Sequence, residues 1–302
     1  MHVIALLGAL LSSGLTPAKT WCPPGAPVPV TVKAQGDERL VLTKFGSDAE
    51  LASKDVSGES TPDIKGLFPQ VKDPGCFVLY LVPKGKKLNE FTGTPLVVNI
   101  REDKRPGANP GPMVTKVEPL RYAVMTAKQG AMTMAFYYDV APITTNSFLT
   151  LAETGFFDGL TFHRIIKDFV IQGGDPRGDG TGGPGYNIEA EFNDRPHLDG
   201  VLSMARNGDP YERTGAMPRC EYANSAGSQF FICLKYTGDH GTKALDHKYT
   251  AFGKVTAGMD VVQAIGSVAT DKDDHPIEKQ VIDKVEVKPV TASENPYAGL
   301  LQ

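Results

Sequence analysis

The stretch FHRIIKDFVIQGGDPRGDGTGG, residues 162–183, constrains the fold of this 302-residue chain more than any other part of it. Two short apolar runs, residues 162–166 and 169–171, flank a polar bend, and a glycine-rich loop follows them. The alternation of polar and apolar residues around Arg164 predicts a strand with one polar and one apolar face. A solvated arginine on a surface hairpin is the simplest interpretation of such a stretch when it is taken alone.

The bulk composition is typical of a globular protein with two domains. A length of 302 residues suits two domains, and 41% hydrophobic residues are enough for packed cores. The net charge of −4 provides no basic field, so we expect no nucleic-acid partner. The 32 glycines and 23 prolines indicate a loop-rich β protein.

An apolar run at residues 3–11 is followed by small residues up to Ala18. It is too short to cross a bilayer comfortably, so we predict no integral membrane span. The run fits a secretory signal peptide over residues 1–18, although no lysine or arginine precedes it. We therefore expect an exported protein, periplasmic or extracellular. The alternative is a cytoplasmic protein in which the apolar run forms a buried strand.

The four cysteines do not form a metal-binding pattern. They are Cys22, Cys76, Cys220 and Cys233, with no C-x-x-C pair and no histidine spacing that completes a zinc site. In an exported protein, a disulfide between Cys22 and Cys76 within the N-terminal domain is plausible. Cys233 lies in an apolar run, which predicts a buried thiol.

The first 113 residues predict one small domain and a linker. Residues 19–101 contain short β-like runs separated by turn residues and show no helical period, which is typical of a small β-sandwich, with an immunoglobulin-like arrangement as one option. We see no catalytic motif there and expect a binding, spacing or solubilising role, or a passive appendage. Residues 102–113 are charged and rich in proline and glycine, which indicates a linker.

Residues 114–289 predict a second domain with many antiparallel strands and two helices. Pro142 can begin the first helix and Gly155 can end it, while residues 258–266 form the second. In a mainly β chain, these elements predict a closed antiparallel β-barrel capped by two helices. The last residues, 290–302, are expected to form a flexible tail.

The strings FHR and F-x-x-QGGD at this spacing resemble the signature of cyclophilin-type peptidyl-prolyl cis-trans isomerases, in their bacterial-type form. Two further strings match, GVLSMA at residues 200–205 and SAGSQFFI at residues 225–232. The resemblance covers about residues 119–288 and implies the eight-stranded cyclophilin barrel. The segment 207–224, between the two further strings, is longer than is usual for the family.

The resemblance also implies the site. Arg164 falls on the catalytic arginine, and Gln172 falls on the residue that binds the substrate backbone and steadies this arginine. The substrate-binding positions are Phe169, Val170, Ala205, Phe231, Leu245 and Tyr249. Each residue alone has a simpler interpretation, since the aromatics can be core, Arg164 can form an ordinary ion pair and Gln172 can cap a strand edge. Their matched spacing on distant strings favours the functional interpretation.

Rotation about an X-Pro bond meets a barrier of about 18–20 kcal/mol because the amide is conjugated. A catalyst has to hold the proline in an apolar socket and favour the twisted amide with a fixed hydrogen-bond donor. It needs no nucleophile or metal, so we predict no cofactor. We therefore expect an isomerase that acts on proline-containing polypeptides and assists their folding. The alternative is a proline-peptide-binding or holdase module with little turnover.

Overall fold

The computed structural model describes residues 13–102, 113–214, 216–238, 241–298 and 300. It divides into an N-terminal unit, residues 1–120 with 289–295, and a C-terminal unit, residues 121–288 with 296–302. Strands make up 42% and helices 15% of the structure, which confirms the predicted mainly β class.

Seven strands of the N-terminal unit form one antiparallel sheet with the order β1-β3-β5-β6-β7-β2, in which β4 pairs with β3. The strands are β1 (Gly14–Pro17), β2 (Trp21–Cys22), β3 (Val30–Lys44), β4 (Glu50–Ser60), β5 (Gly75–Pro83), β6 (Thr92–Glu102) and β7 (Met113–Pro119). A short helix and two 3-10 turns connect them: α1 (Ile64–Leu67), Pro69–Lys72 and Leu88–Glu90.

The sheet of the N-terminal unit curls around a hydrophobic core. Strand β1, at one end of the strand order, also contacts β6 and β7 near the other end. Alternate residues of β5 and β6 point into this core: Phe77, Leu79, Leu81, Leu96, Val98 and Ile100. The small β-rich domain is therefore present, but its strands belong to one curled sheet rather than to the two stacked sheets of an immunoglobulin-like fold.

The predicted disulfide between Cys22 and Cys76 is wrong. Both cysteines are thiols in the structure. Cys22 lies in β2 and points into the core, whereas Cys76 precedes the core residue Phe77 and so points to the opposite face of β5. Strands β6 and β7 also lie between the two cysteines, and a disulfide needs Cα atoms less than about 7 Å apart.

The predicted linker, residues 102–113, lies almost entirely outside the described residues, and the observed boundary between the units differs from the predicted one. The strands on either side, β6 and β7, pair with each other from Glu102 opposite Met113 to Leu96 opposite Pro119. The segment thus joins two strands of one hairpin, and the boundary between the units falls at residue 120 rather than 114. Charged, proline- and glycine-rich sequence is equally typical of a long hairpin connection.

Most of the predicted signal peptide, residues 1–12, lies outside the described residues. Residues 14–17 form β1, which pairs with β3 from Gly14 opposite Lys33 to Pro17 opposite Val30. Leu15 of β1 is 5% exposed and belongs to the core. Cleavage near Ala18 would remove this strand, so the signal peptide stays a prediction with a measurable structural consequence.

The C-terminal unit contains a nine-stranded sheet that closes almost completely into a barrel. Its order is β10-β16-β8-β9-β15-β13-β14-β12-β11. The strands are β8 (Arg121–Ala127), β9 (Gly130–Phe136), β10 (Thr161–Phe162), β11 (Arg164–Ile166), β12 (Val170–Gly173), β13 (Val201–Met204), β14 (Phe230–Cys233), β15 (Ala251–Ala257) and β16 (Gln280–Pro289). The barrel has nine strands rather than eight because the FHR string divides at His163, so that β10 pairs with β16 and β11 with β12.

Two helices accompany the barrel, as predicted: α2 (Pro142–Glu153) and α4 (Met259–Gly266). Pro142 occupies the first turn of α2, where its missing N–H costs no hydrogen bond. Gly258 precedes α4 with a φ of +84°, and a Cβ there would lie 2.3 Å from the carbonyl oxygen of Ala131, so glycine is required. The chain also forms the short helix α3 (Cys220–Ala223) and the 3-10 turns Pro210–Thr214 and Thr242–Leu245.

Tyr297, within the predicted flexible tail, makes specific contacts with the barrel. The hydroxyl of Tyr297 donates to the carbonyl oxygen of Arg121 at 2.6 Å and accepts from the backbone N–H of Phe136 at 3.1 Å. Its ring lies 6.5 Å from that of Tyr138. The tyrosine therefore anchors the end of the chain on β8 and β9.

The variant Leu15→Ala tests whether β1 remains in the mature protein. If residues 14–17 are retained, loss of the buried side chain should lower the free energy of unfolding of the N-terminal unit by about 2–3 kcal/mol. Denaturation followed by the fluorescence of Trp21, the single tryptophan, measures this. The exposed neighbour Thr16 provides the control Thr16→Ala. Equal stability of Leu15→Ala and wild type, with a mature mass that begins after Ala18, would instead establish cleavage.

Candidate active site

Two neighbouring rows of side chains cross strands β11, β12, β14 and β13. One row consists of Ile165, Ile171, Ile232 and Leu202, which lie opposite one another and are at most 1% exposed inside the barrel. The adjacent row consists of Arg164, Gln172, Phe231 and Ser203. Because side chains alternate along a strand, this second row lies on the outer face of the barrel. The register thus puts the two predicted catalytic residues directly opposite each other.

An apolar cluster continues this outer face. All six predicted substrate-binding residues belong to it: Phe169, Val170, Ala205, Phe231, Leu245 and Tyr249. Val170 and Phe231 are buried, while the other four are partly exposed at the surface of the cluster. The ring of Tyr249 meets that of Phe231 edge-on, with centroids 5.7 Å apart. The structure therefore brings together residues that lie up to 80 positions apart into one apolar socket.

Arg164 lies beside this socket and forms an ion pair whose partner the sequence did not indicate. Its guanidinium is 3.3 Å from the carboxylate of Asp274, and the two side chains are 43% and 39% exposed. The backbone carbonyl of Asp274 also accepts a hydrogen bond from Ile165 at 2.8 Å, so its loop is docked on β11. A pair this exposed contributes at most about 1 kcal/mol, so Asp274 orients the guanidinium without holding the fold together.

The side chain of Gln172 is hydrogen-bonded to a second glutamine, Gln229. Its Nε2 donates to Oε1 of Gln229 at 3.0 Å, and Gln229 in turn donates to the carbonyl oxygens of Gly180 and Gly182. Among the described residues, no hydrogen bond joins Gln172 to Arg164. The glutamine therefore links β12 to the glycine-rich loop.

A cavity of about 700 Å³ opens beside the socket. Gln172 and Ala205 line one side of it, and the glycine-rich loop with Tyr186 lines another. Asn207, which begins the long segment, and Ser225, which directly follows it, complete the wall of the cavity and are joined by a 2.8 Å hydrogen bond. The cavity provides room for residues that neighbour a bound proline.

A buried polar network lies beneath the socket. The imidazole of His197 stacks against Phe231 at 6.2 Å, with Nδ1 3.0 Å from Asp246 and Nε2 3.0 Å from the hydroxyl of Ser203. Burial lowers the pKa of His197, although the hydrogen bond to Asp246 opposes this shift. The neutral ring donates from Nδ1 to the carboxylate and accepts from Ser203. The order Ser-His-Asp matches that of a hydrolase triad, but Ser203 and the ring of His197 are completely buried, so no substrate reaches them.

His163, between Phe162 and Arg164, is a second buried histidine. It is 6% exposed, and neither ring nitrogen has a hydrogen-bond partner in the described part of the chain. Burial lowers its pKa below the ordinary 6.5, and nearby Asp175 offsets only part of this effect. The ring is therefore neutral at pH 7 and places no second positive charge beside Arg164.

The sequence analysis did not single out Asp274, Gln229 or His197. Gln229 lies within the matching string SAGSQFFI, whereas Asp274 and His197 belong to no recognisable catalytic pattern. Their contacts depend on loops whose course the sequence does not reveal. The described residues also contain no group of three or more His, Cys, Asp or Glu side chains that could hold a metal ion. No helix in the described ranges is long and apolar enough to cross a bilayer.

A known protein family and several known proteins resemble part of this chain. The family model described as cyclophilin type peptidyl-prolyl cis-trans isomerase matches residues 122–287. A peptidyl-prolyl cis-trans isomerase of Synechococcus elongatus is 43% identical over 132 residues, which covers 44% of this chain and 78% of that protein. One of Arabidopsis thaliana is 39% identical over 168 residues, 54% of this chain and 91% of that protein. The isomerase-like protein 1 of Neurospora crassa is 43% identical over 163 residues, 52% of this chain and 88% of that protein.

A crystal structure of a cyclophilin-type isomerase from Cryptosporidium parvum, obtained in the presence of the dipeptide Ala-Pro, is 26% identical. It covers 56% of this chain and 99% of that chain, with a TM-score of 0.48.

The chain belongs to the cyclophilin-type peptidyl-prolyl cis-trans isomerases, as the signature strings predicted. Its activity is the cis-trans isomerisation of X-Pro peptide bonds, and the alternative of a holdase with little turnover is not favoured. The matched residues, 122–287, lie within the C-terminal unit.

The buried histidines predict a loss of stability in mild acid. Below pH 6.5 the unfolded chain takes up a proton at His163 that the folded chain does not, so the free energy of unfolding falls as the pH falls. The variant His163→Gln should make the melting temperature of the C-terminal unit less dependent on pH between 6.5 and 5. His247→Asn is the control, because His247 is exposed and asparagine tolerates its φ of 62°. A slope unchanged by His163→Gln would contradict the argument.

Proposed function

We propose that Arg164 and Gln172 catalyse the isomerisation at the apolar socket, and that the protein thereby assists the folding of proline-containing polypeptides. The observation that carries this proposal is the row Arg164, Gln172 and Phe231, which lies across three paired strands. Side chains mounted on paired strands keep their relative positions, and catalysis by hydrogen-bond donors requires such preorganisation.

In this mechanism the proline ring enters the socket beside Phe231 and Tyr249. Twisting the X-Pro bond breaks the conjugation of the amide, and the prolyl nitrogen gains a lone pair. The guanidinium of Arg164 donates to this lone pair. The donor lowers the barrier because it binds the twisted amide better than the planar one. Arg164 remains charged at any working pH and presents a rigid fork of donors.

Gln172 has a separate role in the proposal. Its amide binds the backbone of the peptide next to the proline, and Gln229 holds that amide at 3.0 Å. The bond from Gln229 to the glycine-rich loop keeps the loop in place beside the cavity. An extended peptide can then lie along β12, with its neighbouring residues in the cavity.

We also propose that the protein acts outside the cytoplasm. The apolar run at residues 3–11, with small residues up to Ala18, supports export. Client polypeptides would then be exported chains that fold after translocation. The mature mass of protein recovered from the medium or periplasm tests this proposal independently of the isomerase assay.

Replacing Arg164 by alanine should lower kcat/KM on a short X-Pro peptide by about 100- to 1000-fold, or roughly 3–4 kcal/mol of transition-state stabilisation. The fold should remain intact because the side chain is 43% exposed and its ion pair is weak. Arg164→Lys should recover little, since lysine lacks the planar fork. Exchange between cis and trans peptide, measured by NMR, gives the rate, and circular dichroism checks each variant.

Two controls separate the catalytic role of Arg164 from a structural one. Asp274→Asn removes the ion pair but keeps the guanidinium, and asparagine tolerates the φ of 65° at this position. Arg39→Ala removes a comparable arginine, paired with Glu50, from the N-terminal unit. Neither should lower kcat/KM more than about threefold. If Asp274→Asn abolished activity as Arg164→Ala does, the ion pair and not the donor would carry the effect.

A further inference from the structure

A buried arginine lies next to the socket, at the start of the long segment 207–224. Arg206 directly follows Ala205, and its side chain is only 2% exposed, although arginines are rarely buried unless they are paired. Its guanidinium lies 4.3 Å from the ring centroid of Tyr249 and 5.9 Å from that of Phe192. Arg206 therefore packs on a ring that forms part of the substrate-binding cluster.

Four hydrogen bonds hold this guanidinium in one orientation. Nε donates to the carbonyl oxygen of Lys248 at 3.0 Å, and one terminal nitrogen donates to that of Asn207 at 2.9 Å. Both terminal nitrogens donate to the carboxylate of Glu212, a two-point contact that fixes the plane of the group. Because Lys248 precedes Tyr249, the bond from Nε also holds the backbone that carries the tyrosine.

Glu212 is itself held within the long segment. Its carboxylate accepts from the backbone N–H of Asp209 at 3.1 Å, and the hydrogen bonds from Arg206 lower its pKa, so it is charged at pH 7. The buried carboxylate of Asp209 accepts from the backbone and the guanidinium of Arg219 at 2.9–3.1 Å. These contacts connect the far end of the segment with Arg206.

The carboxylate of Glu212 determines whether the arginine can stay buried. A buried guanidinium without a counter-charge is strongly unfavourable. Loss of this carboxylate should therefore drive the side chain of Arg206 toward solvent and remove its contact with Tyr249. Of the aromatic and cation–π contacts of Tyr249 with other described residues, only the edge-on contact with Phe231 would then remain.

We propose that Arg206 is a positioning residue for the isomerase site, held by Glu212 and fixing Tyr249 beside Phe231. Through this pair, the segment 207–224 sets the affinity of the socket for proline peptides. The inference rests on the proposed function of the socket. The proposal predicts an effect on peptide binding rather than on bond rotation. Arg164 lies on β11, at one end of the row, whereas Arg206 comes just after β13, at the other end.

The test compares Glu212→Gln with wild type in the full chain, using NMR exchange on one X-Pro peptide at several peptide concentrations. We expect KM to rise about three- to tenfold and kcat to change less than twofold. Glu221→Gln is the matched control, since Glu221 lies in the same segment and also pairs with an arginine, Arg219, but is 68% exposed. It should leave both constants unchanged.

A double-mutant cycle tests whether the effect passes through the tyrosine. In the background Tyr249→Leu, the substitution Glu212→Gln should no longer raise KM, because the ring that it positions is gone. An equal increase in both backgrounds would overturn the proposal. So would a Glu212→Gln protein whose KM matches that of Glu221→Gln.

Arg206→Lys provides a second route if Glu212→Gln folds poorly. Lysine keeps the charge but cannot make the planar stack and the two-point contact together. It should raise KM to a similar extent, and an unchanged KM in this folded variant would also overturn the proposal. If the wild-type protein did not catalyse exchange, the proposed function would fail. The same variants would then be ranked by their dissociation constants for the peptide, and equal constants would overturn the positioning role.

Discussion

The site depends on the antiparallel register of β11, β12, β14 and β13. In this register, the side chains of Ile165, Ile171 and Ile232 point into the barrel. The neighbouring row, which contains Arg164 and Gln172, lies on its outer face. A slip of one residue would exchange the two rows and bury the arginine. The fully buried isoleucine row makes such a slip costly, since each of these side chains contributes about 1.5–3 kcal/mol on burial. The stability of the barrel and the geometry of the site therefore have the same origin.

A polar layer supports the socket from below. His197 stacks on Phe231. One of its ring nitrogens contacts Ser203 of β13, and the other contacts Asp246, which follows the turn that carries Leu245, so the imidazole joins the strand to the turn. Aliphatic side chains in this position would fill the space, but they would not fix the distance between the strand and the turn. Buried polar networks with every member bonded specify one arrangement of their surroundings. The socket can thus be apolar on its surface and still have a defined shape.

Much of the site was predictable from the sequence, because its residues belong to strings with fixed spacing. The family resemblance assigned Arg164 and Gln172 to one site, and the register of β11 and β12 sets them directly opposite each other. What was wrong or missed depends on tertiary neighbours. Cys22 and Cys76 are plausible partners by composition, but strand order separates them. The contact of Asp274 with Arg164 spans 110 residues, and no local pattern in the sequence indicates it.

The long segment 207–224 illustrates how a family fold acquires individual properties. At the cavity, Asn207 at the start of the segment bonds to Ser225, which directly follows it, so the segment can vary in length without moving β13 or β14. Added residues in such a connection cost little closure entropy, since the cost grows only logarithmically with length. Here the segment carries Asp209, Glu212 and Arg219, whose hydrogen bonds lead back to Arg206 and the socket. In the proposed mechanism the barrel supplies the donor that stabilises the twisted amide, and this connection is the part of the site that is free to change its affinity.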